Sequence, residues 1–146
     1  DYIQPNLTAR LSLIFPQFSL EAKTSEKTTV VLGFWTGISN YYDHRSQDYR
    51  VIFTPKVTME PRYYFNLDTR VLKGKRIDNF SGVYVGMPFH VEFPEVKFNL
   101  GPVIGFQKTL GYRGFIHLSI GPAVAYYDET FHSDIVSSFG LGFILN

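Results

Sequence analysis

The residues able to do chemistry fall into three clusters. The first is His117 and Ser119, with Glu129 further along the same segment. In a strand, residues two apart share a face, so an imidazole there could take the proton of a serine nucleophile and a carboxylate could orient the base. The second is the stretch SNYYDHRSQD, where Asp43, His44 and Asp48 have the donor atoms for a divalent metal or a phosphate, and Tyr41, Tyr42 and Tyr49 could form a recognition surface. A mixed-charge solvated loop accounts for that stretch equally well. The third is the set Arg10, Glu21, Lys56, Glu60, Arg62, Glu92 and Lys97, which reads as structural ion pairs, with Arg10, Glu60 and Arg62 open to a second reading as a substrate-binding cluster.

Other chemistry is excluded by composition. The chain has 0 cysteines, so no thiol nucleophile, disulfide or Cys-ligated metal exists. No P-loop, dinucleotide fingerprint, HExxH, EF-hand or zinc spacing occurs. Neither a cofactor nor a bound metal is expected. Fourteen Lys and Arg against 13 Asp and Glu leave a formal charge of +1, which argues against a nucleic-acid partner.

The elements that must position these side chains are strands. Charged residues are 18% and aromatic residues 17% of the chain. No apolar run is long enough for a transmembrane helix. The dominant signal is period-2 alternation, broken by short turn clusters. It predicts eight strands, at roughly 7–15, 18–24, 29–38, 51–65, 80–93, 96–109, 114–128 and 134–145. Most exceed the usual soluble length of about 5 to 6 residues and suit a tilted strand crossing a bilayer, about 9 to 11. The expected fold is all-β: a closed eight-stranded antiparallel transmembrane β-barrel, an up-and-down meander, with 1–146 as a single domain.

The two faces of each strand separate. Leu118, Ile120 and Val124 oppose His117, Ser119 and Ala123; Phe139, Leu141 and Phe143 oppose Ser138, Gly140 and Gly142. Val83, Val85 and Phe89 oppose Tyr84, Gly86 and His90; Phe98 and Leu100 oppose Lys97 and Asn99. Glycine decides which face is outside. Nine of the 12 glycines lie on polar faces. A water-facing strand has no use for glycine, which weakens it, whereas a narrow eight-strand interior needs small residues. The apolar set is therefore expected to face lipid, and the charged set to form an ion-pair network plugging the lumen. Pro61, Pro88, Pro102 and Pro122 fall inside strands, where each costs a ladder bond.

Hairpin register supports the faces. A turn at Pro94-Glu95 sets Val91 against Phe98 and Glu92 against Lys97, and a turn at Pro16-Gln17 sets Leu13 against Leu20 and Ser12 against Glu21. The outer loops are then 16–17, 39–50, 94–95 and 129–133, and the turns at the other end 25–28, 66–79 and 110–113. The 66–79 stretch reads as a solvated turn, with a short helix or basic cuff as the other option.

The stretches Glu60–Asn66, Lys73–Lys75 and Asn79–Tyr84, with Gly101–Gly121, resemble segments of small bacterial outer-membrane β-barrel proteins, the OmpA/OmpX-like eight-stranded group. The resemblance spans about the C-terminal two-thirds. It implies the outer membrane of a Gram-negative bacterium, a signal peptide removed, and contact with membrane lipid, lipopolysaccharide and other outer-membrane proteins. It implies no common catalytic activity. Two departures are the ending Leu145-Asn146, where assembly signals commonly carry a terminal Phe, and the lack of a peptidoglycan-binding domain after the barrel. The expected role is a non-enzymatic structural or accessory envelope protein, within a larger complex. Lipid A deacylases also resemble the chain in length and strand number, and use a His-x-Ser pair with a carboxylate. That alternative needs His117 and Ser119 on an outward site, yet they fall on the inward face. A soluble lipocalin-like carrier is the third alternative.

Overall fold

The computed structural model describes residues 5–43 and 48–145. Ten strand segments follow one another: β1 (Leu7–Ser12), β2 (Gln17–Lys23), β3 (Thr28–Asp43), β4 (Asp48–Tyr64), β5 (Gly82–Gly86), β6 (Phe89–Glu92), β7 (Lys97–Leu100), β8 (Val103–Leu110), β9 (Gly114–Tyr127) and β10 (Thr130–Ile144). A helix, α1 (Leu67–Leu72), and a 3-10 turn over Asp78–Phe80 connect β4 to β5. Each pairing is antiparallel, and β10 returns to β1 through Arg10↔Ile144, Leu11↔Phe143 and Ser12↔Gly142. The result is a closed eight-strand barrel, because β5 with β6, and β7 with β8, each make one wall strand.

The prolines explain why those two strands are divided. β4 pairs with β5 (Arg62↔Gly86) and with β6 (Met59↔Phe89) in one unbroken register, so only hydrogen bonds are lost at Met87-Pro88. There Pro61 stands opposite Met87, and the Met87 amide donates to the Pro61 carbonyl at 3.1 Å. Leu100↔Val124 and Ile104↔Ile120 likewise share a register that places Pro102 opposite Pro122. Residues without an N–H thus lie side by side across four wall strands, which confines the missing bonds to one region.

Burial alternates as the sequence predicts. Thr8, Arg10 and Ser12 are buried while Leu7 and Leu11 are exposed. His117, Ala123 and Ala125 are buried while Leu118, Ile120 and Val124 are exposed. Leu141 and Phe143 are exposed opposite Gly140 and Gly142, and Val85 opposite Tyr84. The interior is tight. A Cβ on Gly105 would lie 2.2 Å from the Tyr84 ring. Gly105→Val is therefore expected to displace that ring and cost about 1–3 kcal/mol. Urea unfolding of the refolded barrel measures it; an unchanged midpoint would show that the lumen has slack at this level.

Several turns differ from the sequence reading. The β1–β2 turn is Leu13–Pro16, not Pro16-Gln17: Ser12 pairs with Gln17 and Ala9 with Leu20. A four-residue shift keeps the parity, so alternation could not detect it. The 39–50 segment is mostly strand, since β3 and β4 pair out to Asp43↔Asp48. The 129–133 loop is a two-residue turn at Asp128-Glu129, both at positive φ, as a type I′ hairpin requires. The Pro94-Glu95 register is as read, with Val91↔Phe98 and Glu92↔Lys97.

The 66–79 stretch is not merely a solvated turn. It forms α1, and Leu67 and Phe80 turn inward against Tyr64, Tyr84 and Val103 to close the end of the barrel where β1 begins and β10 finishes. This is called the lower end below. An ion pair between Lys27 and Asp68 ties α1 to the β2–β3 turn, and the hydrogen bond to that carboxylate raises the Lys27 pKa above its usual value.

Candidate functional site in the lumen

Inward phase on adjacent strands brings the predicted charges together. In the lower half, Arg10 Nη1 lies 2.6 Å from Glu21 Oε2. β1–β2 register makes this a diagonal pair, since Thr8 is the residue directly opposite Glu21. Glu21 is wholly buried, and it also accepts from Thr29 Oγ1 at 2.6 Å, Tyr64 OH at 2.7 Å and Gln107 Nε2 at 3.1 Å. Arg62 Nη2 bonds Glu60 Oε2 at 2.7 Å, and Arg62 Nη1 donates to Gln107 Oε1 at 3.1 Å. The Arg62 guanidinium also stacks over Tyr84, 4.3 Å from the ring centroid. Arg10 Nη2 donates to the Asn79 carbonyl at 2.9 Å, so the lower plug is fastened to the network. Two arginines face two glutamates, and the cluster is neutral. Buried charges are tolerated when they are paired, and here each carries at least one ion pair, while Arg10 Nε, Arg62 Nε and Glu60 Oε1 have no hydrogen-bond partner among the described residues.

The upper half carries a second, wetter set. Lys56 meets Glu92 at 2.5 Å, its direct partner in the β4–β6 register. Lys97 lies 3.9 Å from Asp134, which also accepts from Asn99 Nδ2 at 2.9 Å. Glu92 and Lys97 are opposite each other as expected, but their ion pairs go to Lys56 and Asp134.

His117 and Ser119 are both on the inward face. No direct bond joins them among the described contacts. Ser138 Oγ bridges them, 3.3 Å from His117 Nδ1 and 3.0 Å from Ser119 Oγ. His117 Nε2 is held by Tyr84 OH at 2.6 Å, with Arg62 Nη2 at 3.4 Å. Glu129 sits in the upper turn, ten residues along from Ser119 and so about 33 Å away at a strand's rise. A phenol and a guanidinium, not a carboxylate, orient the imidazole. Both ring nitrogens are engaged in the wall-to-wall network.

Comparison with known proteins finds no matching family model, no matching curated protein and no matching solved structure. Geometry alone therefore carries the functional reading.

Of the remaining expected positions, Tyr41 and Tyr42 lie on β3 and Tyr49 on β4, and His44 lies outside the described residues. No group of three metal-ligating side chains occurs among the described residues. Sequence reasoning did not assign Thr29, Tyr64, Tyr84, Gln107 or Asp134 to the network. Their polar-face parity was the available signal.

Proposed function

We propose that this chain is an integral outer-membrane β-barrel protein of a Gram-negative envelope, with a plugged polar lumen and a structural or accessory role beside other outer-membrane proteins. One observation carries the reading: large apolar side chains stand exposed around the outer wall, while the ionised groups are inside. Leu11, Leu32, Phe34, Met59, Val85, Ile104, Leu118 and Phe143 are all exposed. A barrel in water would invert this arrangement; a barrel in lipid requires it. No helix among the described residues is long and apolar enough to cross a bilayer, so crossing would be by strands, whose backbone groups are satisfied wherever neighbouring strands pair. Neutral pairing of Arg10, Glu21, Glu60 and Arg62 beside Tyr84 fills the lower half of the lumen. A lipocalin-like carrier would need an apolar lumen.

The test is extraction and heat-modifiable migration. The chain is expected in the outer-membrane fraction, needing detergent, and migrating faster in SDS unheated than heated. A chain that stays in aqueous solution without detergent and shows no such shift contradicts the proposal. Ser119→Ala is expected to leave lipid A and phospholipid acyl chains unchanged, as mass spectrometry of the envelope lipids reads. Loss of a modified lipid species would favour the lipid-modifying alternative.

A further inference from the structure

The wall is incomplete above the β1–β2 hairpin. That hairpin turns at Leu13–Pro16, where Leu13 N donates to Leu141 O at 3.0 Å and Thr36 N to Pro16 O at 3.4 Å. Beyond this level β10 runs on up to Thr130 and β3 on up to Asp43. Among the described residues, β10 is then paired with β9 alone and β3 with β4 alone. Two strand positions are vacant between them, so the flanking strand axes stand about 14 Å apart where the hairpin ends, three spacings of about 4.8 Å.

The facing edges are open backbone. The Leu13–Leu141 bond fixes the alternation, so the backbone groups of Phe131, Ser133, Ile135 and Ser137 face the gap rather than β9. Ile135 N–H is met by Asp134 Oδ1 at 2.8 Å. By the same rule the Thr36–Pro16 bond sends the backbone groups of residues 38, 40 and 42 of β3 toward the gap.

The gap is at the height of the apolar belt. On one side Phe131 and Ile135 are 76% and 71% exposed; on the other Val51 and Phe53, paired with residues 40 and 38 of β3, are 62% and 68% exposed. Among the side chains described on strands, these are the barest large apolar ones. A cavity of about 1030 Å³ has Phe15, Thr36, Ser137 and Phe139, which flank the gap, among its lining, together with Lys56 and Glu92 of the lumen.

We propose that this gap is a docking site for a β-hairpin of another polypeptide, which adds two strands above β1 and β2 and joins β10 to β3. The inference rests on the membrane reading. Open N–H and C=O groups at hydrocarbon depth are strongly disfavoured, and acyl chains have no donors or acceptors to offer them. A hairpin does, on both edges at once, because β10 and β3 run in opposite directions and a hairpin entering from above is antiparallel to each. Its alternate residues would be apolar, continuing the belt between Ile135 and Phe53. This is strand addition at an exposed edge, placed inside the belt.

Amide hydrogen exchange tests it. The Ser133 and Ser137 amides are expected to exchange about 100-fold more slowly in native envelope membranes than in purified protein, whether in dodecyl maltoside micelles or in phosphatidylethanolamine–phosphatidylglycerol vesicles. Ser133→Pro removes an N–H that the barrel itself does not use. It is expected to fold, by heat-modifiable migration, yet to lose the native-membrane protection at Ser137. Equally fast exchange at Ser137 in native membranes overturns the proposal. Protection by the phospholipid vesicles alone overturns it in favour of lipid, and protection that grows with protein concentration in micelles overturns it in favour of a second copy. Protection that survives Ser133→Pro overturns it as well. Failure of the membrane reading would show separately, as absence from the membrane fraction.

Discussion

Glu21→Ala is expected to destabilise the barrel by about 3–5 kcal/mol, because it leaves Arg10 without its carboxylate and a single glutamate, Glu60, facing two arginines in a closed interior. The carboxylate is wholly buried and takes bonds from Arg10, Thr29, Tyr64 and Gln107, so four donors lose their acceptor together. The loss reaches the plug, because Arg10 and Gln107 both donate to the Asn79 carbonyl. Urea titration of the refolded protein in micelles would read the shift. Pairing the change with Arg10→Met is expected to recover part of it, since the double variant removes a charge pair and not half of one. A loss below about 1 kcal/mol would mean that the lumen is wet and the pair behaves like a surface bridge.

Leu118→Arg is expected to cost about 2–4 kcal/mol when the barrel folds into a bilayer, the penalty for a cation on a lipid face near the midplane. Leu118 is 46% exposed and lies within β9, between its wall partners Phe106 and Phe139. In a water-soluble barrel the same change would place a charge in solvent and cost almost nothing. The variant therefore separates the two readings by the size of the loss, with folding yield into vesicles as the measurement. Equal folding of Leu118→Arg and the parent would remove the lipid face. Tyr112→Arg serves as the control: Tyr112 is fully exposed in the β8–β9 turn and is expected to tolerate the charge.

Strand number, meander order and the inside–outside assignment were legible because a narrow barrel imposes period 2 on every wall strand. Gly105 beneath the Tyr84 ring and Gly86 beside the Glu60 carboxylate show why glycine marked the inner face: a side chain there meets one already present. Registry at the β1–β2 turn was not legible. Leu13, Ile14 and Phe15 continue an apolar strand by composition, yet they form the turn, and the alternation is indifferent to a shift of four. The helix Leu67–Leu72 stood only as the second option for 66–79, behind a solvated turn, because six residues are too few for a helical period to stand out. Burial of Phe80 needs a left-handed backbone at Asn79 and Phe80, with φ of 52° and 57°, which only tertiary packing selects. The proline row required knowing the register of four strands at once. In the lumen the charged members were visible by type and parity, whereas Tyr64 and Tyr84 read as ordinary strand aromatics until their hydroxyls were seen on Glu21 and His117.

Native cysteine is absent, so single cysteines can be placed along β9 without interference. Fluorophores at residues 118, 120 and 124, in barrels refolded into vesicles, are predicted to be quenched by brominated acyl chains and spared by aqueous iodide. Those at residues 117, 119 and 123 are predicted to escape the lipid quencher. Quenching that ignores this two-residue rhythm, or iodide reaching residues 118, 120 and 124 freely, would contradict the account.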